Sequence, residues 1–326
     1  KYLIYILIIC TNNIVDNEEK TMAKDITVVT AFFNINRDEW GDFERSEEKY
    51  FEYFTLWAKI QNRLIVYVES EKMKEKIINF RASIGLKENT VVVLVDDCLS
   101  IDKELYKSIK TATENSIQKK YRLYKDNPEV WNAAYDYIML MKMWCVKNAI
   151  EKGLASGQVA WVDFGYNHGG SMISKESDFN FMWKYDFPEK INLFLVQDLD
   201  DRPIFDIVFN MDTYIMGMCI VGIDYLWAEF WKLMRKNMMS LNSCGLTDDD
   251  QNIILMCYRE RPEMFNTYKS DWHITMKQFG GDHLILVNNK KNNSLIKDCL
   301  KKIRNNMQCK QYTCEIYKYI KKLCTH

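Results

Sequence analysis

Three observations in this sequence predict a mixed α/β fold with a mostly parallel sheet flanked by helices. The first hundred residues alternate β-branched apolar runs with helix-period segments, the pattern of βαβ crossovers. One later apolar run, Gln158–Asp163, delivers a carboxylate to its end and then turns on glycines, as strands do at the edge where α/β sheets bind ligands. The 326 residues are 48% hydrophobic and 13% aromatic with only 12 Gly and 4 Pro. That composition fills a large core and excludes disordered, collagen-like and low-complexity chains.

Taken in order, Asp25–Asn34 (DITVVTAFFN) reads as a buried strand. Glu44–Ile60 places Tyr50, Phe51, Phe54, Trp57 and Ala58 at helical spacing. Arg63–Glu69 is a strand, Lys72–Ile84 a helix, and Thr90–Val95 a strand ending in Asp96-Asp97. Ile101–Tyr124 is polar and helical and is expected to lie across the surface. Pro128–Gly153 reads as one long helix with Trp131, Ala134, Tyr135, Ile138, Met141, Cys145 and Ala149 on its apolar positions. Strands follow at Gln158–Asp163, Ile191–Gln197 and Thr213–Val221, helices at Asp224–Met239 and Thr247–Tyr258, and a last strand at His283–Val287. No repeat and no Pro/Ser/Gly linker divides this stretch, so residues 22–289 are expected to form one α/β domain. Met22-Ala23-Lys24 directly precedes the first strand, which makes residues 1–21 an extension outside the fold.

The 44 basic and 45 acidic side chains give a net charge of −1, so no overall field draws the chain to nucleic acid. The total conceals a split. Residues 290–326 hold ten Lys/Arg against Asp298 and Glu315, leaving the first 289 residues with a surplus of nine acids. The basic tail sets Ile316, Tyr319, Ile320 and Leu323 at helical spacing between lysines. That pattern suits peripheral contact with the anionic inner face of the cytoplasmic membrane, and a solvated terminal helix is the simpler alternative. The run Tyr2–Cys10 is too short to span a bilayer and lacks a cleavage site of the A-x-A type. Ten cysteines without a C-x-x-C pair, with Cys145 and Cys219 inside apolar runs, read as buried thiols in a reducing, cytoplasmic setting.

The best candidate for chemistry is Trp161-Val162-Asp163-Phe164-Gly165-Tyr166-Asn167-His168-Gly169-Gly170. A strand-end carboxylate such as Asp163 can hold a hard divalent cation, which in turn neutralises a diphosphate; a plain turn cap is the competing reading. Thr247 followed by Asp248-Asp249-Asp250-Gln251 resembles a capping box, with Asp250 the acid expected to move to catalysis if the site converges there. His283 follows Gly280-Gly281 and, like His168, sits in a glycine-rich turn where an imidazole can meet metal or phosphate. Asp198, Asp200 and Asp201 read as a solvated acidic loop before Pro203. Asn34 and Arg37 follow the first strand, where Arg37 suits a phosphate. No G-x-G-x-x-G, P-loop or G-x-S-x-G element is present in the sequence, so phosphate would have to be met by metal and Arg.

Ile26–Phe33 (ITVVTAFF), Tyr137–Lys142 (YIMLMK) and the Trp161–Gly170 segment together resemble the HtrL/YibB (WlaTC-like) family over roughly Ile26 to Val287. That resemblance implies an association with lipopolysaccharide or other surface polysaccharides, and a pattern similar to nucleotide-sugar glycosyltransferases of the GT-A fold. It further implies a nucleotide loop at Thr30, Ala31 and Asn34, and Asp163 as carboxylate of a D-x-D motif that binds Mn²⁺ or Mg²⁺. Asp250 and Gln251 would then stand near the glycan or glycolipid acceptor, and His283 near the diphosphate or metal. Asp163-Phe164-Gly165 carries only one acid of a D-x-D, so Asn167 or His168 would have to supply the second ligand. Two other functions stay open at this point. One is a non-catalytic nucleotide- or carbohydrate-binding protein; the other is a phosphoryl or nucleotidyl transferase using Asp163, Asp198 and Asp250 with two metals.

Overall fold

Seven strands form one sheet in a computed structural model that describes residues 24–287. They are β1 (Ile26–Phe32), β2 (Leu64–Val68), β3 (Thr90–Leu94), β4 (Gln158–Val162), β5 (Ile191–Leu195), β6 (Cys219–Ile223) and β7 (Phe265–Lys269), in the spatial order β3-β2-β1-β4-β6-β5-β7. The pairs β1–β2, β2–β3, β1–β4 and β5–β7 are parallel, while β6 runs antiparallel to both β4 and β5. The mixed, mostly parallel α/β class is therefore the observed one.

Strand alternation sorts the core onto two faces. Val29, Ile65, Tyr67, Val159 and Trp161 pack with the helices Lys103–Thr113, Ala133–Glu151 and Asp224–Ser243. Val28, Leu64, Val66, Ala160 and Val162 face the helices Glu47–Trp57 and Glu71–Ser83 and a coil segment holding Phe179, Trp183 and Phe187. Both flanking helices of the second face begin on a serine whose hydroxyl accepts an N–H three residues on: Ser46 from Lys49 and Ser70 from Met73.

The chain order matters more than the strand count. β1, β2 and β3 run outward to one side, and the chain then returns to place β4 against β1 on the other. The loops leaving the C-terminal ends of β1 and β4 thus diverge at a topological switch point and open a crevice between them.

Several elements differ from the sequence reading. The expected helix Pro128–Gly153 is broken at Asn132, which is extended and caps the helix Ala133–Glu151 by accepting the Tyr135 N–H at 3.0 Å. Ile101–Tyr124 is not a surface strap: Leu105, Ile109, Ala112, Gln118 and Arg122 are buried. The expected strand Thr213–Val221 begins only at Cys219, after a single Ile215 bridge, because Gly217 turns its carbonyl toward Lys142 instead of a strand. His283–Val287 contributes an isolated bridge, Ile173 to Leu286, and the edge strand is Phe265–Lys269 (FNTYK). Residues 24–286 belong to one compact unit and a second begins at Val287; the expected extension 1–21 and the basic tail 290–326 lie outside the described residues.

Candidate functional site

The crevice between the β1 and β4 loops is a cavity of about 390 Å³, within the size range of small-molecule sites. The end of β1 and its loop supply Ala31, Asn34, Arg37 and Arg45; the β4 loop supplies Asp163, Gly165 and His168. Tyr135 and Lys142 reach in from the helix Ala133–Glu151, Asp249, Asp250 and Gln251 from the start of the helix Asp250–Glu260, and Trp272 and His273 from the loop after β7.

One wall is basic. Arg37 is held by its Nε–H on Phe43 O (3.1 Å) and its Nη1–H on the Tyr50 hydroxyl (2.7 Å). Its guanidinium lies 5.4, 5.9 and 5.8 Å from the ring centres of Trp40, Tyr50 and Tyr135, a cation–π setting that fixes the group without neutralising it. Arg45 stands 3.3 Å from His168 Nε2. Among the described residues neither Arg37 nor Arg45 forms an ion pair with a carboxylate.

The floor is a charged triad. Lys142 Nζ lies 3.0 Å from Asp163 Oδ1 and 2.9 Å from Asp250 Oδ2, and donates to Gly217 O at 3.3 Å. Lys142 and Asp250 are buried at 5% and 1% exposure. Burial alone would lower the Lys142 ammonium, but Asp163 and Asp250 outweigh it and hold the group above its ordinary value. Asp163 is further aimed by the Trp161 indole N–H at 2.7 Å. The packing requires glycine at 217, since a Cβ there would come within 1.9 Å of Asp250 Oδ2.

Beside the triad the three consecutive acids divide their work. Asp248 takes Arg122 at 3.2 Å and the Asn252 amide at 2.9 Å, and Thr247 donates to Asp136. The expected Thr247–Asp250 capping box is absent; Asp249 is the cap, accepting the Gln251 N–H at 3.0 Å. Burial, Asp250 and Asp248 push the Asp249 carboxyl well above its usual range. Gln251 Oε1 accepts from the Thr213 hydroxyl at 2.8 Å.

The glycine-rich turn holds two imidazoles over the cavity. Asn167, His168 and His273 all adopt positive φ (62°, 40° and 63°), a strained state for residues other than glycine. Asn167 repays it with a network: its N–H donates to His273 Nδ1 (3.0 Å) and its amide bonds Ile173 N–H and O and Met172 N–H. The His168 and His273 ring centres lie 4.5 Å apart. His168 is exposed at the cleft mouth, where crowding by its neighbours and then the Arg45 and Arg37 charges hold its ring below the ordinary value, while burial with His168 alongside lowers His273 to about 3. Since Arg45 only donates, His168 Nε2 accepts; His273 Nδ1 accepts likewise, leaving its proton on Nε2.

Of the residues singled out from sequence, Ala31, Asn34, Arg37, Asp163, His168, Asp250 and Gln251 line this one cavity. Thr30 does not: it is fully buried beneath, with its hydroxyl unpartnered. His283 does not either. Its Nε2 faces Asp178 O at 2.9 Å and its ring meets Phe181 at 4.7 Å, because the Gly280 turn packs against the Lys184 carbonyl on the opposite core face. Asp198 pairs with Lys269 at 2.6 Å and is not among the cavity's lining residues.

The donor set does not fit a divalent cation. Asp163 and Asp250 already enclose an ammonium, the Asn167 amide is committed to backbone, and the His168 nitrogen faces a guanidinium. Among the described residues no group of three or more His, Cys, Asp or Glu is arranged to hold a metal. Sequence reasoning missed Lys142, Arg45, Tyr135 and His273. Lys142 left a signal, a cation on the buried face of an apolar helix between Ile138 and Cys145; His273 and Arg45 left none.

Fold and site together define a mixed α/β protein with a cleft at the sheet's switch point, basic on one wall and acidic on the other. The sequence pattern described as "Bacterial protein of unknown function (HtrL_YibB)" matches residues 24–281. The chain is also 30% identical over 265 residues to Protein HtrL of Escherichia coli strain K12, covering 75% of this chain and 88% of that protein. The chain belongs to the HtrL/YibB family.

Proposed function

We propose that this protein is a glycosyltransferase that moves a sugar from a nucleotide-sugar donor onto a surface glycan or glycolipid. The observation that carries the reading is the pair of guanidiniums, Arg37 and Arg45, that line the cleft without a carboxylate partner among the described residues. Unpaired guanidiniums fixed in a cavity select an anion, and their fork geometry suits phosphate oxygens. Elsewhere in the lining, the carboxylates and the Gln251 side chain offer the acceptors and donors that read hydroxyl groups. A ligand with a diphosphate at one end and a sugar at the other matches both walls.

In this reading Arg37 and Arg45 stabilise the diphosphate as it leaves, and the two neutral imidazoles offer N–H donors beside it. Asp250 is tied to Lys142, so the acceptor hydroxyl's proton falls to Asp249, the neighbouring carboxylate that lines the cleft. The divalent cation expected from the sequence has no role in these steps. Asp198 lies off the cleft, so the two-metal phosphoryl-transfer alternative lacks one of its three acids there.

Calorimetric titration of the native chain with a panel of nucleoside diphosphates and nucleotide-sugars tests the proposal. Binding is expected, and Arg37→Ala or Arg45→Ala should weaken it about 10- to 100-fold, the worth of a charge-assisted contact. A native protein that binds none of the panel overturns it.

A further inference from the structure

We propose that Lys142 is a built-in counter-cation that stands where a divalent metal would otherwise bridge Asp163 and Asp250, so that the cleft takes its anionic ligand without a metal. The inference rests on the nucleotide-sugar reading for the identity of the ligand, but the cation geometry stands apart from it.

An ammonium has three N–H donors. Lys142 lies in ion-pair reach of Asp163 at 3.0 Å and of Asp250 at 2.9 Å, and donates to the Gly217 carbonyl at 3.3 Å. Held between two carboxylates and a carbonyl, Lys142 organises the acidic wall and leaves the diphosphate to Arg37 and Arg45. Its surroundings are built for that role: Gly217 makes room for the Asp250 carboxylate, and the Trp161 indole N–H fixes the other carboxylate through Asp163 Oδ1. A metal ion using the same two carboxylates would need oxygens at roughly 2.0–2.6 Å. It would therefore lie within a few ångströms of the ammonium, and two cations that close in a buried setting repel strongly. The ion pair and the metal site exclude each other.

The converse follows. Removing the ammonium leaves two carboxylates facing an empty space with no counter-charge, which is costly unless a cation enters. Lys142→Ala should thus create a metal site that the native chain lacks.

The experiment follows free Mn²⁺ by electron paramagnetic resonance during titration into the full-length native chain, Lys142→Ala, Lys142→Arg and Asp163→Asn. The native chain, Lys142→Arg and Asp163→Asn are expected to leave Mn²⁺ free, while Lys142→Ala binds it at least about tenfold more tightly than the native chain. Calorimetry of the native chain with UDP should give the same affinity in EDTA and in Mn²⁺. Mn²⁺ uptake by the native chain that Asp163→Asn abolishes overturns the proposal, as does UDP binding that needs Mn²⁺. A folded Lys142→Ala that takes up no Mn²⁺ overturns it too; should that variant not fold, the native and Asp163→Asn titrations still decide. Absence of UDP binding under every condition counts against the glycosyltransferase reading, with the Mn²⁺ titrations still deciding on Lys142.

Discussion

His273 shows how a single residue in this cleft ties backbone strain to charge. It is 7% exposed, holds φ at 63°, and accepts the Asn167 N–H on Nδ1. Its folded-state value, about 3, is depressed below the unfolded value near 6.5, so the neutral ring stabilises the fold above pH 6.5. That contribution is lost as pH falls from 6.5 toward 3, at up to about 1.4 kcal/mol per pH unit. The raised carboxyls of Asp136 and Asp249 act in the opposite sense, taking up protons in the folded state first, and are present in any His273 variant. Comparing native protein with His273→Asn therefore isolates the imidazole, and Asn is chosen because it tolerates positive φ. In urea unfolding at pH 7 and pH 5, the native chain should lose about 1–2 kcal/mol more than the variant. Equal losses would mean that His273 binds its proton as readily in the folded protein as in the unfolded chain. None of this was legible in the sequence, where His273 is one of four histidines with no glycine turn beside it, whereas His283 had the turn and proved to pack elsewhere.

At the scale of elements, Arg81 illustrates what holds the β1 side of the cleft in place. The guanidinium is fully buried on the helix Glu71–Ser83 and donates to Ala58 O (2.9 Å), Ile60 O (2.6 Å), Asn62 O (3.2 Å) and the Thr90 hydroxyl (2.7 Å). Three of those acceptors lie in the connection from the helix Glu47–Trp57 to β2, and the fourth opens β3. One side chain thus satisfies three buried carbonyls of the connection that follows the helix. Arg81→Met should cost about 3 kcal/mol or more in chemical denaturation, since buried acceptors lose their donor. The folded variant should keep its nucleotide affinity, because Arg81 does not line the cleft; loss of affinity with an unchanged midpoint would contradict this division. Element type was readable wherever apolar periodicity was strong, as in β1, β2 and the helix Asp224–Ser243. It failed where local chemistry competes with pattern. Asn132 stops a helix by capping the next one, Gly217 ends a strand for the sake of Asp250, and Phe265–Lys269 alternates polar residues as an edge strand can.

For the molecule as a whole, the consequence of the topology is that the cleft lies on a seam. Arg37 and Arg45 hang from the β3-β2-β1 side of the sheet, whereas Asp163, His168, Asp249, Asp250 and His273 come from the side built on β4, β6, β5 and β7. Among the described residues, only the β1–β4 pairing, four residues in register from Ile26 with Gln158 to Val29 with Trp161, joins the two sides within the sheet. The sequence disclosed the sheet class and its two acidic turns but not this seam, because strand order and the reversed β6 depend on pairings far apart in the chain. A ligand held by both walls ties the two sides together and binds only the folded state. At a concentration of one hundred times Kd it should add about 2.7 kcal/mol to stability, which for a domain of this size raises Tm by roughly 5 °C. A nucleoside diphosphate should produce that rise in differential scanning calorimetry in EDTA as well as in Mn²⁺, and Arg37→Ala with Arg45→Ala should abolish it at the same concentration. Hydrogen exchange should slow in the β1 and β4 loops together, since each supplies one wall of the same cleft. Protection confined to one loop, with no change in Tm, would show that the ligand rests on a single wall and that the seam is not bridged.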